Sequence, residues 1–223
     1  TKKNEIKKNY LKKEPSIDLN MLDEALNRLE RAERPVIYSG GGVINSGQSA
    51  VNSLRNLVAS TNFPITSTLM GLGSYPASGK NWLGMLGMHG TYEANMSMHD
   101  CDFMLCIGAR FDDRITGRID AFSPNSYKVH LDIDPSSINK NITVDAPLIG
   151  DVSRILSVLI DRWKERGSKV NKKKLSAWWK SINNWKEVQS LGYENSSSVI
   201  KPQYAVQRLE ELTKSYNRFV STE

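Results

Sequence analysis

Five short stretches of this chain carry residue types that can hold or transform a small molecule. The first, Tyr38-Ser39-Gly40-Gly41-Gly42-Val43-Ile44-Asn45-Ser46-Gly47, runs an apolar segment into three glycines. Glycine lets a backbone approach a ligand closely and leaves amide N–H groups available to an anion such as a diphosphate. The frame is not the G-x-G-x-x-G of dinucleotide folds, because Asn45 stands at the third glycine, and no Gly-Lys-Ser/Thr follows as in a P-loop. An ordinary tight turn would use the same residues. The second, Gly84-Met85-Leu86-Gly87-Met88-His89-Gly90-Thr91, suits packing of backbone and thioether against a flat ring; a lone His89 there serves equally as a hydrogen-bonded structural residue. The third, Ile107–Gly117, sets Arg110 and Arg114 around Asp112 and Asp113. Guanidinium groups can pair in forked geometry with phosphate or carboxylate. Two adjacent aspartates would also suit a metal, but with a basic residue on each side they read as ion-pair partners. The fourth, His130-Leu131-Asp132-Ile133-Asp134, offers acids that can accept sugar hydroxyls. The fifth, Gly150-Asp151-Val152, opens a helical stretch.

The elements that must position these motifs follow from hydrophobic periodicity. Apolar residues at Leu19, Leu22, Ala25, Leu26 and Leu29 predict a helix over 19–32, with Asp18 as its N-cap. Strands are predicted at 35–39, 63–66, 103–107, 128–133 and 147–149, and further helices at about 48–60, 91–99 and 152–166. The strands are apolar on both faces, the pattern of a parallel sheet covered by helices. The fold class is therefore α/β, a doubly wound and mainly parallel sheet with a C-terminal helical linker. Ligands of such sheets sit at the carboxyl ends of the strands, where nearly every one of these motifs falls. Their joint placement points to one extended, nucleotide-like ligand rather than a small metal site.

Composition narrows the classes. The chain has 223 residues, 39% hydrophobic and 24% charged, as in a globular protein of one full domain and something more. No apolar run approaches the ~20 residues of a membrane span, and no apolar segment follows the basic N-terminus as in a signal peptide. Two cysteines, Cys101 and Cys106, make no disulfide framework, and histidines at 89, 99 and 130 make no metal cluster. The net charge of +6 divides into +4 over residues 1–14, +7 over 161–186 and −5 elsewhere. A mildly acidic body with basic flanks argues against a nucleic-acid partner. Beyond Gly167 the chain becomes a Lys-rich linker, then a helix with Leu175, Trp178, Trp179, Ile182, Trp185 and Val188 at helical spacing, best explained by docking on a neighbouring surface. A second linker at 194–198 leads to an amphipathic helix from Pro202. The absence of an initiator Met, and an unfinished strand pattern at Arg218–Glu223, lead us to expect a piece of a larger polypeptide.

Taken together, RPVIYSGGGV (34–43), STLMGLGSYP (67–76), LGMLGMHGTYEANMSMHDCD (83–102), IGARFDDRITG (107–117) and HLDIDPSSINKN (130–141) resemble the central domain of acetolactate synthase (acetohydroxyacid synthase) catalytic large subunits. The similarity covers about 15–166 and resumes near Ile200-Lys201-Pro202-Gln203-Tyr204-Ala205. The resemblance implies 1–14 as a basic linker from an N-terminal domain, 15–166 as a central FAD-binding domain, 167–199 as a linker, and 200–223 as the start of a thiamine diphosphate-binding domain. It implies an enzyme that condenses two pyruvates, or pyruvate and 2-oxobutyrate, into acetohydroxy acids in branched-chain amino acid biosynthesis. Thiamine diphosphate and Mg²⁺ would be held by other domains, which also carry the catalytic glutamate, so this segment alone should be inactive. FAD would be met by Gly40, Gly41, Gly42, Thr68 and Leu69; by Gly87, Met88 and His89; by Gly108, Arg110, Asp112, Arg114 and Ile115; and by Asp132, Ile133, Asp134, Gly150, Asp151 and Val152. Met88, Asp113 and Arg114 would border the substrate channel. The implied partners are 2-oxo acids, a homodimeric or homotetrameric assembly, and room for a regulatory small subunit; the implied location is the bacterial cytoplasm or a plastid or mitochondrion. Another thiamine diphosphate enzyme, of the glyoxylate carboligase or pyruvate oxidase type, and a free-standing nucleotide-binding module are the alternatives.

Overall fold

The computed structural model describes residues 16–220; the basic lead at 1–14 and the expected strand residues Ser221, Thr222 and Glu223 lie outside the described residues. The first compact unit ends at Val188 and the second begins at Gln189.

In the first unit, α1 (Leu19–Arg31) is followed by β1 (Pro35–Ser39), α2 (Gly41–Asn45), α3 (Gln48–Thr61), β2 (Ile65–Ser67), β3 (Trp82–Met85), α4 (Tyr92–Asp100) and β4 (Phe103–Ile107). Then come α5 (Asp113–Thr116), β5 (Tyr127–Asp132), β6 (Ala146–Ile149), α6 (Val152–Glu165) and α7 (Lys172–Lys186). The six strands form one sheet in the order β3-β2-β1-β4-β5-β6, every pair parallel. Every residue of β1 and β4 is buried, which is why these central strands read as continuous apolar runs. The helices fall into two groups, α1 and α3 each packing on α6, and α4 on α7, as a sheet covered on both faces requires. The α/β, doubly wound expectation is met.

Local differences have physical reasons. β3 was not foreseen: it is a four-residue edge strand interrupted by Gly84, too short and too mixed for period-two patterning to reveal. Glycines 41 and 42 open the short helix α2 instead of a plain loop. β2 lies at 65–67 rather than 63–66, with a register shift against β3 between Ile65 and Ser67. Not all strands are apolar on both faces, since β5 buries Lys128, His130 and Asp132.

Asp18 caps α1 as expected, accepting from Met21 N at 3.0 Å. Asp151 caps α6, accepting from Ser153 N at 2.9 Å and Arg154 N at 3.3 Å. Asp151→Ala is expected to lower stability by about 1 kcal/mol, read as a shift in the denaturant midpoint. The basic stretch at 161–186 is in part spent on α1 and the turn that follows it: Arg162 pairs with Asp23 at 2.6 Å, Arg166 with Glu30 at 3.4 Å, and Lys174 with Glu33 at 2.8 Å.

α7 begins at Lys172, inside the stretch read as linker, with Asn171 as its cap. It buries Leu175, Trp178 and Ile182. Trp178 Nε1 donates to Pro35 O at 3.1 Å, and Trp179 Nε1 to Asn62 O at 2.9 Å. The tryptophans thus fasten α7 to the segments that enter β1 and β2.

The second unit contains α8 (Pro202–Thr213). Arg218–Val220 forms no strand, and Phe219 and Val220 are exposed. A cavity of about 300 Å³ lined by Asn195, Ser196, Val199, Ile200, Lys201 and Tyr204 lies in this unit; it holds none of the site residues expected from the sequence. Among the described residues no helix is long and apolar enough to cross a membrane.

Candidate functional site

The strand order reverses between β1 and β4: β2 and β3 follow on one side of this pair, β5 and β6 on the other. In open parallel sheets the crevice at the carboxyl ends of such a reversing pair is where ligands bind. The loops leaving β1 and β4 are Gly40–Gly42 and Gly108–Asp112.

These loops touch backbone to backbone. Gly40 N donates to Ile107 O at 2.8 Å and Gly42 N to Gly108 O at 3.0 Å. A Cβ on Gly40 would lie 2.1 Å from Gly108 O, and one on Gly42 would lie 2.7 Å from Gly108 Cα. Gly108, at φ +61°, needs a conformation that side chains disfavour. The glycines are therefore required by the close approach of two loops, which brings both to the floor of one crevice.

Contacts extend along the strand ends in both directions. Gly71, beyond Thr68 and Leu69, sits against Ser39 and Gly40, and Gly41 faces Met70. The Thr68 hydroxyl caps this turn by accepting from Gly71 N at 3.0 Å. On the other side Gly108 N bonds Leu131 O, and Gly150 N bonds Asp132 O. Gly87 packs on Arg114 and Ile115, and Met88 N donates to Arg114 O at 3.2 Å. Four of the five motifs thus form one chain of contacts, from Thr68 through Gly40 and Gly108 to Gly150. The Gly84–Thr91 motif meets the third motif at Arg114. His89 is exposed nearby.

The chemistry of the rim is apolar and cationic. Met70, Met88 and Ile133 are 76%, 65% and 66% exposed, a level of exposure that apolar side chains at a crevice mouth show where a ligand or a neighbouring surface covers them. Arg110 is exposed and lies 3.6 Å from Asp112, a loose surface pair. Arg114 is exposed too, and among the described residues its guanidinium enters no ion pair. The Asp112 carboxyl is held below its ordinary range, first by hydrogen bonding with Asp113 and to a lesser degree by the Arg110 charge. Asp113 is exposed at the start of α5.

The acids on β5 and after it are partly spoken for. Asp132 is buried, its Oδ1 accepting from Asp134 N at 2.9 Å. Asp134 is exposed but accepts from Ser136 N at 2.9 Å and Ser136 Oγ at 2.8 Å, which holds its carboxyl below the usual range. Asp151 serves its helix, and Val152 is buried behind it. Burial pushes the Cys101 thiol up to about 11 and that of Cys106 well above its ordinary value, so neither is a nucleophile at neutral pH.

A first positioning side chain escaped sequence reasoning. Asn95, on α4, accepts from Gly87 N at 2.9 Å and donates to Gly87 O at 3.0 Å and Thr91 O at 3.1 Å. Its amide imitates a strand partner for the loop that carries Gly87, Met88 and His89. The signal was an asparagine inside a helix, where it is a poor former. Asn95→Ala is expected to cost about 1–3 kcal/mol through the unpaired Gly87 groups and to raise amide exchange across 86–90; unchanged exchange would contradict the role.

Comparison with known proteins places this geometry. Residues 22–159 match the family model "Thiamine pyrophosphate enzyme, central domain". The chain is 42% identical over 206 residues to an acetolactate synthase large subunit of Buchnera aphidicola from Acyrthosiphon pisum, covering 91% of this chain and 35% of that protein. It is 41% identical over 193 residues to the acetolactate synthase isozyme 3 large subunit of Escherichia coli K12, covering 86% and 33%. It is 40% identical over 196 residues to a probable chloroplastic acetolactate synthase 2 of Oryza sativa subsp. japonica, covering 87% and 29%. The chain spans about a third of the length of these relatives. A parallel sheet reversing at β1 and β4, with its glycine loops inside the matched residues, belongs to the family of thiamine pyrophosphate enzyme central domains.

Proposed function

We propose that this chain is the central, FAD-binding part of an acetolactate synthase large subunit. The observation that carries the reading is the meeting of the β1 and β4 glycine loops at the reversal of strand order, where such sheets bind ligands. The glycines hold the β1 and β4 loops together, the apolar side chains of Leu69, Met70, Met88 and Ile133 around them suit a flat ring, and the arginines suit a diphosphate. The residues present fit the group. Gly40–Gly42, Thr68, Leu69 and Gly108 would line its ring and linker; Arg110 and Arg114 would offer it charge; and the exposed Asp134 would be the acid best placed for its sugar, Asp132 being buried. The net condensation moves no electrons, so FAD would serve as a structural element.

In this reading thiamine diphosphate, which supplies the carbanion chemistry when bound, and Mg²⁺ are held by parts of the subunit other than this chain. This chain contributes the wall beside them. Arg114, exposed beside Met88 and Asp113 and in no ion pair among the described residues, would orient the carboxylate of the incoming 2-oxo acid. The assembly would be a homodimer or homotetramer, open to a regulatory small subunit, working in a bacterial cytoplasm or an organelle, and this segment alone would make no acetolactate. The names of the relatives favour this over a glyoxylate carboligase or pyruvate oxidase.

The test is acetolactate formation from pyruvate by the full polypeptide that carries this chain. Arg114→Ala is expected to raise the KM for pyruvate about tenfold or more, the worth of a charge-assisted hydrogen bond, with a smaller change in kcat. Unchanged kinetics would remove Arg114 from the site, and no acetolactate from the parent would overturn the reading.

A further inference from the structure

The loop that carries Arg110 and Asp112 to the crevice has a strained backbone. Phe111 sits at φ +50°, a left-handed conformation that a bulky side chain adopts only where its surroundings impose it. The impositions are visible. Ala109 O accepts from His130 Nε2 at 2.7 Å, and from Cys106 Sγ at 3.3 Å. Phe111 O accepts from Asn141 Nδ2 at 2.9 Å. The Phe111 ring packs at 5.1 Å on the His130 ring.

His130 is fully buried on β5, in the same cross-strand row as Cys106 and Tyr38. A carbonyl oxygen only accepts, so the ring proton must be on Nε2. Nδ1, on the other side of the ring, is buried and has no hydrogen-bond partner among the described residues. Asp132 Oδ2 is 3.6 Å from Nε2, beyond hydrogen-bond range. Packing alone would not call for a histidine here, because an apolar ring would fill the place without burying an unsatisfied nitrogen. What an apolar ring could not do is hold Ala109 O.

We propose that His130 and Asn141 are positioning residues. Together they clasp the Ala109 and Phe111 carbonyls, fix the left-handed turn between them, and so set the direction in which Arg110 and Asp112 face the cofactor. The proposal rests on the FAD reading above, and it has a readout independent of FAD. The experiment uses the full polypeptide, titrated with FAD by flavin fluorescence, together with amide hydrogen exchange across 109–112. His130→Phe keeps a ring against Phe111 but cannot donate, and should weaken FAD binding at least tenfold and speed exchange. His130→Gln, which can still donate to Ala109 O, should return affinity to within about threefold of the parent and restore protection. Asn141→Ala, at an exposed position expected to fold normally, should give a milder loss in the same direction and decides the matter if His130→Phe does not fold. Parent-like affinity and exchange in both His130→Phe and Asn141→Ala would overturn the clasp, and so would a His130→Gln variant no better than His130→Phe. A parent that binds no FAD would overturn the cofactor reading instead, and the exchange pattern would still decide the clasp.

Discussion

Gly40→Ala is expected to destabilise the fold by about 3 kcal/mol or more, at the upper end of what overpacking costs. The added methyl would sit 2.1 Å from Gly108 O and 2.6 Å from Ala109 Cα. Both neighbours are backbone, so no side chain can rotate away, and relief requires separating the β1 and β4 loops. Separation would break the bonds from Gly40 N to Ile107 O and from Gly42 N to Gly108 O, and with them the crevice floor. The matched control is Gly47→Ala: its φ is +85°, but a Cβ there meets nothing within 4 Å. At φ +85°, ψ −175° it occupies a region that glycine almost alone populates, so a side chain there should cost about 1–3 kcal/mol and leave ligand binding intact. Denaturant melts of the two variants check the difference. Equal losses, with flavin binding kept in both variants, would mean that the glycine run is an ordinary turn.

The second large effect lies at the opposite end of the sheet. Trp178→Ala is expected to cost about 3–5 kcal/mol, the range for deleting a large buried aromatic. Trp178 is buried, its ring meets Trp185 edge-on at 5.5 Å, and its Nε1 satisfies Pro35 O at the head of β1. Deletion removes that apolar area and also orphans the carbonyl. Against a total stability of about 5–15 kcal/mol, this would leave a marginal fold. Trp179→Phe should cost far less, about 1 kcal/mol for the lost bond to Asn62 O. A Trp178→Ala loss below ~1 kcal/mol would show that α7 merely lies on the surface.

These sites show where sequence reading succeeds and where it stops. β1 and β4 were legible because burial on both faces leaves an uninterrupted apolar run, whereas β3 was hidden because Gly84 breaks a four-residue edge. The glycine motif was legible as a place and less so as a mechanism. Its residues are fixed by the approach of Gly108, 66 positions or more away in the chain, which no local pattern encodes. Asp132 shows the converse: an acid at a strand end looks like a ligand for sugar hydroxyls until folding buries it and turns it onto Asp134 N. Asn95, His130 and Asn141 are isolated polar residues whose partners are backbone groups of loops that exist only once the sheet has formed.

The decisive experiment is titration of the full polypeptide with FAD, after stripping any bound flavin. Saturable quenching of flavin fluorescence is expected at one FAD per chain, abolished or strongly weakened by Gly40→Ala and spared by Gly47→Ala. Absence of saturable binding, or binding that Gly40→Ala leaves untouched, would contradict it.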